Sequence, residues 1–569
     1  MPAKHPHILI VFLFLLLSFF LTLGRVGTAF DSFALLTPDL GVYATFAAAQ
    51  DMPELFVNDP FLSNEKNVNS YNMVLVPLIK VLRDVFGNYG TACAFLLPFF
   101  LFIHLTGWYV LGVALFKNPG AGLLASLLAS TPVLTYYDYW GLILDAVPRF
   151  LYQGAIPFLL ALSIWRGHDL KWWPVILGGV GLLNYVHPLS TPSWALAVML
   201  GLWVSAPGPT SWQKVRVMGL SLLVLLLVLS PFIANYVSST IVETSSALGY
   251  EQTLAILQER FLTMDNTSPF SALVNFFAGR RSISFDVIWY AVWLLGLAGL
   301  FFGLSWREYS ERHAHLLLLL AWMTGILTVG GLLPVLEQII FAYLKRIPPE
   351  FEILKTLRYL VPLILVAAVY GLWILSEQLQ RKKVLSMKAA TNLFLGAGML
   401  LLLTWGFSSQ IRYPDFRNAV RQNISCWRQA KLICPLPQIS MDLIDVLDAV
   451  REDTPVGARI FSEGQEVAVR YYALRPLVFT YKDGAPLAYT DQEQLLVWNE
   501  YSRVMEEVAF IRKFPFRHRA FVRGIAELAQ KTGAEYLLLQ EPFDAGKEYP
   551  EQLSLVYSNA NYSLYQLTP

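Results

Sequence analysis

The chain opens on "HILIVFLFLLLSFFLTLG", an unbroken apolar run, and runs of the same kind return along most of its length. A membrane-crossing helix needs roughly 17 to 25 mostly apolar residues, and about eleven runs meet that requirement. They begin near His7, Ala92, Gly120, Pro148, Trp172, Pro192, Val217, Val287, His315, Leu357 and Ala389. The runs at Trp172 and Pro192 are short and read equally well as a re-entrant pair; losing both leaves every other segment on the same side. No convincing small-residue cleavage pattern follows the first run and many apolar runs come after it, so it is expected to remain as a first helix.

After Ser408 the pattern changes to that of a soluble domain. "MDLIDVLDAVRE" has the period of an amphipathic helix, "ARIFS" and "PLVFT" read as short strands, "AEYLLLQ" as a buried strand and "LSLVYSNANYSLYQL" as a closing hairpin. The expected architecture is a polytopic α-helical membrane protein in which residues 1–408 form a transmembrane domain with a long first outer loop, 25–90. Residues 409–569 form a small soluble α/β domain.

Composition agrees with a bilayer protein: of 569 residues, 55% are hydrophobic and only 15% charged, against about a quarter charged in soluble proteins. The net charge of +1 and the scatter of basic residues in short clusters give no nucleic-acid footprint. Those clusters predict topology instead, because Lys and Arg favour the cytoplasmic side of short loops. Lys4, Lys117, Arg166 with Lys171, Lys214 with Arg216, Arg307 with Arg312 and "RKKVLSMK" at 381–388 fall on one face, which predicts a cytoplasmic N-terminus and an extracytoplasmic C-terminal domain. Only three cysteines occur, one of them (Cys93) in an apolar run, so neither a zinc cluster nor a disulfide scaffold is expected. Cys426 and Cys434 could pair in an oxidising compartment.

Ionisable groups at the ends of membrane helices are the places to look for chemistry, because they are expensive to keep there. In "TPDLGVYATFA", Thr37 or Asp39 can cap a helix, and Asp39, Tyr43 and Ala47 then share one face. Asp59 in "FVNDPFLSNEKN" lies in a turn signal and is followed by an amphipathic stretch, "VNSYNMVLVPLIKVLRDVFG". Asp138, Asp145 and Arg149 lie in "YYDYWGLILDAVPRF", the last two spaced to pair along a helix. His187 in "NYVHPLSTP" ends a span; a lone histidine makes no metal site. "LEQIIFAYLKRIPPEFEILKTLRYLVP" brings Lys345, Arg346, Lys355 and Arg358 to the mouth of a span, where they either snorkel to headgroups or hold a phosphate.

The first helix, the long outer loop and the early Asp-x-x-x-Tyr-x-x-x-Ala together resemble the GT-C superfamily of membrane glycosyltransferases, which includes the aminoarabinose transferases and the protein O-mannosyltransferases. The resemblance implies a GT-C-like fold and transfer of a sugar from a polyprenyl-phosphate donor to a lipid, glycan or protein acceptor on the extracytoplasmic face, with inversion. It implies Asp39 and Asp145 as catalytic carboxylates, and Tyr43, Asp59, Asp138, Arg149, His187, Lys355 and Arg358 as substrate-binding residues. No cofactor is assigned, and a divalent metal stays open. Leu40 stands where many members carry a second acidic residue, which keeps a non-catalytic scaffold as an alternative beside a transporter or lipid flippase. Arg470, Arg475, Lys482 and Asp483 in "VRYYALRPLVFTYKDGAP" resemble the tail of a bacterial group whose front half looks like GT-C, without an inherited role.

Overall fold

The computed structural model describes residues 5–26, 36–69, 74–131, 133–134, 139–206, 208–240, 249–260, 310–345, 347, 352–407, 414–429, 431, 438–464, 466–512, 518–544 and 549–568. The expected span near Val287, together with Asp138, Arg346 and Cys434, lies outside them. Cys426 is disulfide-bonded and Cys93 is a buried free thiol.

Among the described residues the chain is mostly helical. Five helices are long and apolar enough to cross a membrane: Pro6–Gly24, Tyr89–Phe116, Ser211–Tyr236, Ala314–Leu344 and Ile353–Arg381. This makes the chain a multi-pass membrane protein. Other expected spans are helical but shorter, at Pro119–Ala129 and Leu170–Leu183, whereas the helix Met387–Phe407 has 21 residues. The expectation of about eleven full spans is corrected to that extent.

The helix Pro119–Ala129 shows why an apolar run need not be a full span. Pro119 follows an Asn118 N-cap that accepts from the Ala121 amide at 3.0 Å, so the start is well defined. The apolar run is broken at Ser130-Thr131-Pro132, and the helix stops at Ala129, where a two-stranded ribbon folds back on it, β1 (Val133–Leu134) against β2 (Tyr139–Trp140). Trp140 Nε1 donates to the Ala129 carbonyl at 2.6 Å and the Leu142 amide to the Ser130 carbonyl at 2.9 Å. The ribbon thereby satisfies carbonyls that a buried helix end would otherwise leave open.

The chain divides into two compact units: the first gathers residues 1–25, 97–233 and 258–432, the second 26–96, 234–257 and 433–569. The first unit is built around buried aromatics, with Trp108, Trp140, Trp194, Trp322 and Tyr359 in one apolar core. Two glycines set its close approaches. A Cβ on Gly154 would stand 2.6 Å from His104 Cα, so only glycine lets the helix Pro148–Arg166 lie backbone to backbone on Tyr89–Phe116. A Cβ on Gly330, in the π turn Thr328–Leu332, would stand 2.8 Å from Thr356 Oγ1, which seats that turn against the segment Ile353–Tyr359.

In the second unit the tail folds as a four-stranded mixed sheet with helices. Strand β3 (Ile460–Ser462) runs parallel to β4 (Tyr536–Leu539), and β5 (Leu553–Ser558) and β6 (Ser563–Leu567) form the closing hairpin, in the order β3-β4-β6-β5. "PLVFT" does not become the strand that its pattern predicts; it makes one bridge, Ile460 to Leu477. Its bonds to β3 run through the Pro476 carbonyl and the Val478 amide, while the Leu477 amide, on the other side, donates to Asp59 Oδ2 at 2.9 Å.

That contact belongs to a buried charge network. Arg470 Nε and Nη2 donate to the two Asp59 oxygens at 2.8 and 3.0 Å, and Nη1 and Nη2 donate to Asp483 at 2.9 and 3.0 Å. Asp59 also accepts from the amides of Phe61 and Leu62, so its turn and the Arg470 helix Ala468–Tyr471 share one centre. All three side chains are essentially inaccessible, at 2% or less. Burial pushes the Asp59 carboxyl up, and the Arg470 guanidinium offsets that only in part. Five N–H donors converge on its two oxygens, all of them favouring the charged form. Burial also works against the Arg470 charge, but Asp483 and Asp59 outweigh it and hold the guanidinium above its usual range.

Removing the cation from such a centre strands two buried anions, at a cost of about 3–5 kcal/mol. Arg470→Met is therefore expected to lower the thermal unfolding midpoint of the second unit sharply, measured on the full chain in detergent. Arg523→Met, which removes an exposed pair with Glu527, is expected to leave the midpoint in place.

Candidate functional site

Four of the expected site residues meet in the first unit. Tyr359 lies at the head of the helix Leu360–Arg381 and is fully buried, with Arg358 beside it at only 1% exposure and its Cζ 5.7 Å from the Tyr359 ring centre. The Tyr359 hydroxyl shares a short hydrogen bond with Ser190 Oγ, and Ser190 Oγ in turn pairs with His187 Nδ1 at 2.8 Å. Arg149 lies close enough to act electrostatically on both Tyr359 and His187, and Lys355 on His187. Lys355 also pairs with Glu352, one turn earlier.

Local chain geometry explains how these groups are presented. His187 and Pro188 open the short turn Pro188–Ser190 that leads into the helix Thr191–Ser205, which turns Ser190 toward Tyr359. Ser193 Oγ donates to Thr356 Oγ1 at 2.8 Å and ties that helix to the Ile353–Tyr359 segment. Aromatic rings enclose Tyr359, with Trp194, Trp140 and Tyr152 at 5.4, 5.7 and 6.3 Å between ring centres. Arg358, buried beside these rings, is poorly hydrated, and that raises its appetite for an anion.

Deeper in this unit lie polar groups that the sequence reading missed. The two ring nitrogens of His104 and both amide atoms of Gln153 are buried without a hydrogen-bond partner. His104 stacks on Phe150 at 4.7 Å, on the helix that also carries Arg149. Buried polar groups of this kind mark a place where water or a polar ligand belongs. A histidine and a glutamine inside apolar runs were the available signal. Asp145, buried at 8% exposure, precedes the helix that begins at Pro148, so the expected helical spacing between Asp145 and Arg149 is corrected to a loop-to-helix relation.

Asp39 belongs to the second unit. Thr37 is the N-cap of Pro38–Asp51, its side chain accepting from the Leu40 amide, and Asp39 occupies the first turn, where the helix dipole favours an anion. Lys482 Nζ pairs with Asp39 Oδ1, a partner that the sequence did not indicate. Tyr43, one turn further along, is half-buried. Asp59, expected to bind substrate, is placed in the buried network with Arg470, with both of its oxygens taken. Beside it a pocket of about 470 Å³ is lined by Asn58, Ser63, Asn64, Asp491, Gln494 and Lys531. Among the described residues no three His, Cys, Asp or Glu side chains gather to hold a metal ion.

No protein-family model matches the chain. No curated protein matches it in sequence. Among solved structures the chain is similar to the Archaeoglobus fulgidus oligosaccharyltransferase, crystallised with an acceptor peptide containing the NVT sequon tethered through a disulfide. The two share 13% identity over 94% of this chain and 69% of that one, with a TM-score of 0.45. It is also similar to the arabinofuranosyltransferase AftD from Mycobacteria, determined by electron cryo-microscopy, at 14% identity over 98% of this chain and a TM-score of 0.47. A mutant form of AftD gives the same identity and score. The chain spans 40% of the length of AftD, and neither score is high enough to establish a shared fold.

Proposed function

We propose that the chain is an integral membrane glycosyltransferase that moves a sugar from a polyprenyl-phosphate donor to an acceptor hydroxyl or amine on the extracytoplasmic face. The observation that carries this reading is the buried Arg358 beside Tyr359, with the partly exposed Arg149 and Lys355 and the imidazole of His187 close by, at the head of an apolar helix of membrane length. A lipid phosphate needs fixed positive charge where hydrocarbon ends, and arginine can bind two of its oxygens at once. The resemblance of the Asp39 segment to GT-C enzymes adds the carboxylate.

In the reaction, Asp39 takes the proton from the acceptor as its oxygen or nitrogen forms the new bond to the anomeric carbon. The bond from that carbon to the phosphate oxygen breaks, and its electron pair leaves with polyprenyl phosphate. Arg358 stabilises the charge that gathers there. A single displacement inverts the anomeric centre. Asp145 is the second carboxylate of the proposal; Tyr43, Asp138 and Asp59 complete the expected set, Asp59 through the turn it anchors.

Transfer of labelled sugar from a panel of polyprenyl-phosphate pentoses and hexoses, by the full chain in detergent, tests this. Asp39→Asn is expected to slow transfer by about a hundredfold to ten-thousandfold, the usual share of a general base, with donor binding retained. Undiminished transfer by that variant excludes Asp39 as the base. Arg358→Lys keeps the charge and loses the two-pronged geometry, and is expected to lower kcat by at least about tenfold while thermal stability holds. An unchanged kcat would take Arg358 out of the leaving-group role.

A further inference from the structure

The reaction proposed above assigns no ligand to the pocket beside Asp59, yet that pocket is a built cavity. Its volume of about 470 Å³ falls within the range of small-molecule sites, roughly 300–1,000 Å³. Its walls all belong to the second unit and are stapled together. Arg459 Nε donates to the Asn58 carbonyl at 2.9 Å and Nη1 to the Thr532 carbonyl at 3.1 Å, while Asn58 Nδ2 donates to the Gly457 carbonyl at 2.9 Å. The sealed centre of Asp59 and Arg470 fixes the turn that follows Asn58, so the shape exists before any ligand arrives.

The lining selects the ligand. Two cations reach the pocket and both are committed, Lys531 to Glu500 and Arg459 to the two carbonyls. Asp491 places a carboxylate just before the helix Gln492–Arg512, where an anion would otherwise be welcome. An anionic ligand is therefore disfavoured. Asp491 Oδ1 accepts from the Gln494 backbone amide at 3.0 Å and Asn64 Oδ1 from the Lys66 amide at 3.0 Å. The other Asp491 oxygen, Asn64 Nδ2, the Gln494 side-chain amide and the Ser63 hydroxyl make no hydrogen bond among the described residues. Phe479, also in the lining and packed on Tyr501 with ring centres 5.9 Å apart, adds an apolar surface.

A sugar ring is divided in the same way, with hydroxyl groups around its edge and C–H groups on its faces. An amide both donates and accepts, a carboxylate accepts from two hydroxyls, and an aromatic wall takes the C–H face. An extended peptide pairs instead through its backbone along an open strand edge, and this pocket offers side chains. We infer that the pocket is a binding site for a neutral oligosaccharide, with Gln494, Asn64, Ser63 and Asp491 holding its hydroxyls and Phe479 carrying one face. Its place in the reaction rests on the transferase reading: the glycan bound here is the acceptor, held through rings other than the one that reacts. Such uniform binding lowers the acceptor KM and leaves kcat unchanged.

The test probes a printed array of linear and branched hexose and pentose oligosaccharides with the full chain, in a detergent without a sugar headgroup. Titration calorimetry with the strongest ligand follows. Gln494→Leu is expected to weaken binding at least about tenfold, because the hydroxyls it serves are left unpaired, and to melt as the wild type does. Glu493→Ala, exposed and outside the pocket, is expected to bind as the wild type does. Raising salt from about 50 to about 500 mM is expected to change the affinity less than about twofold, since the ligand carries no charge. Binding of no saccharide, wild-type affinity in Gln494→Leu, a steep salt dependence, or tighter binding of short unmodified peptides than of any glycan overturns the proposal. Binding is read without turnover, and Asp39→Asn is expected to bind the glycan as the wild type does, so failure of the transferase reading shows in the transfer assay alone. In that assay Gln494→Leu is expected to raise the acceptor KM at constant kcat. An unchanged KM overturns the assignment of the glycan as acceptor.

Discussion

A single guanidinium, that of Arg470, organises the second unit by binding two carboxylates at once, one of them 411 residues away in the chain. Charges taken out of water are costly unless geometry and hydrogen bonding are nearly complete, and at this centre they are. Asp59 receives the guanidinium together with the amides of Phe61, Leu62 and Leu477; Asp483 receives it together with Thr480. The consequences spread outward from there. The Leu477 amide is satisfied by Asp59, the loop after the first long helix is tied to the tail, and the turn carrying Lys482 is held through Asp483.

The first unit solves a different problem, which is to keep cations among apolar side chains. Its answer is aromatic: rings of Trp140, Tyr152 and Trp194 surround Tyr359, whose hydroxyl reaches Ser190 and through it His187. Glycine makes this crowding feasible at Gly154 and Gly330, where neighbouring backbone or side chains leave no room for a β-carbon. Small residues at helix contacts are the usual way that membrane helices approach closely, since water supplies no force to press them together.

Much of this was legible in the residue pattern, for physical reasons that also mark its limits. Apolar runs announce themselves because the bilayer demands length and composition together, and the helices Tyr89–Phe116 and Ile353–Arg381 were plain on that ground. Helix length was less plain: Ser130-Thr131-Pro132 marks an end to the run after Gly120, but not the ribbon that turns back on Ala129. The tail's sheet was visible in alternation and turn residues, whereas "PLVFT" pairs with β3 at one position only, and its Leu477 amide goes to an acceptor far away in sequence. Pairings such as Asp39 with Lys482 leave no periodic trace, and a one-dimensional reading can name both residues without joining them. Arg358 was singled out by its place at a helix mouth; Tyr359, next to it, was passed over because an aromatic in an apolar run carries no distinguishing mark.

The short apolar helix Leu170–Leu183 has a bearing on the lipid itself. Its 14 residues span about 21 Å, well short of the roughly 30 Å of hydrocarbon in an ordinary bilayer, and its apolar side chains Val175 and Leu182 are more than half exposed. Acyl chains beside a helix shorter than the hydrocarbon can match it only by splaying or shortening, which thins a leaflet locally.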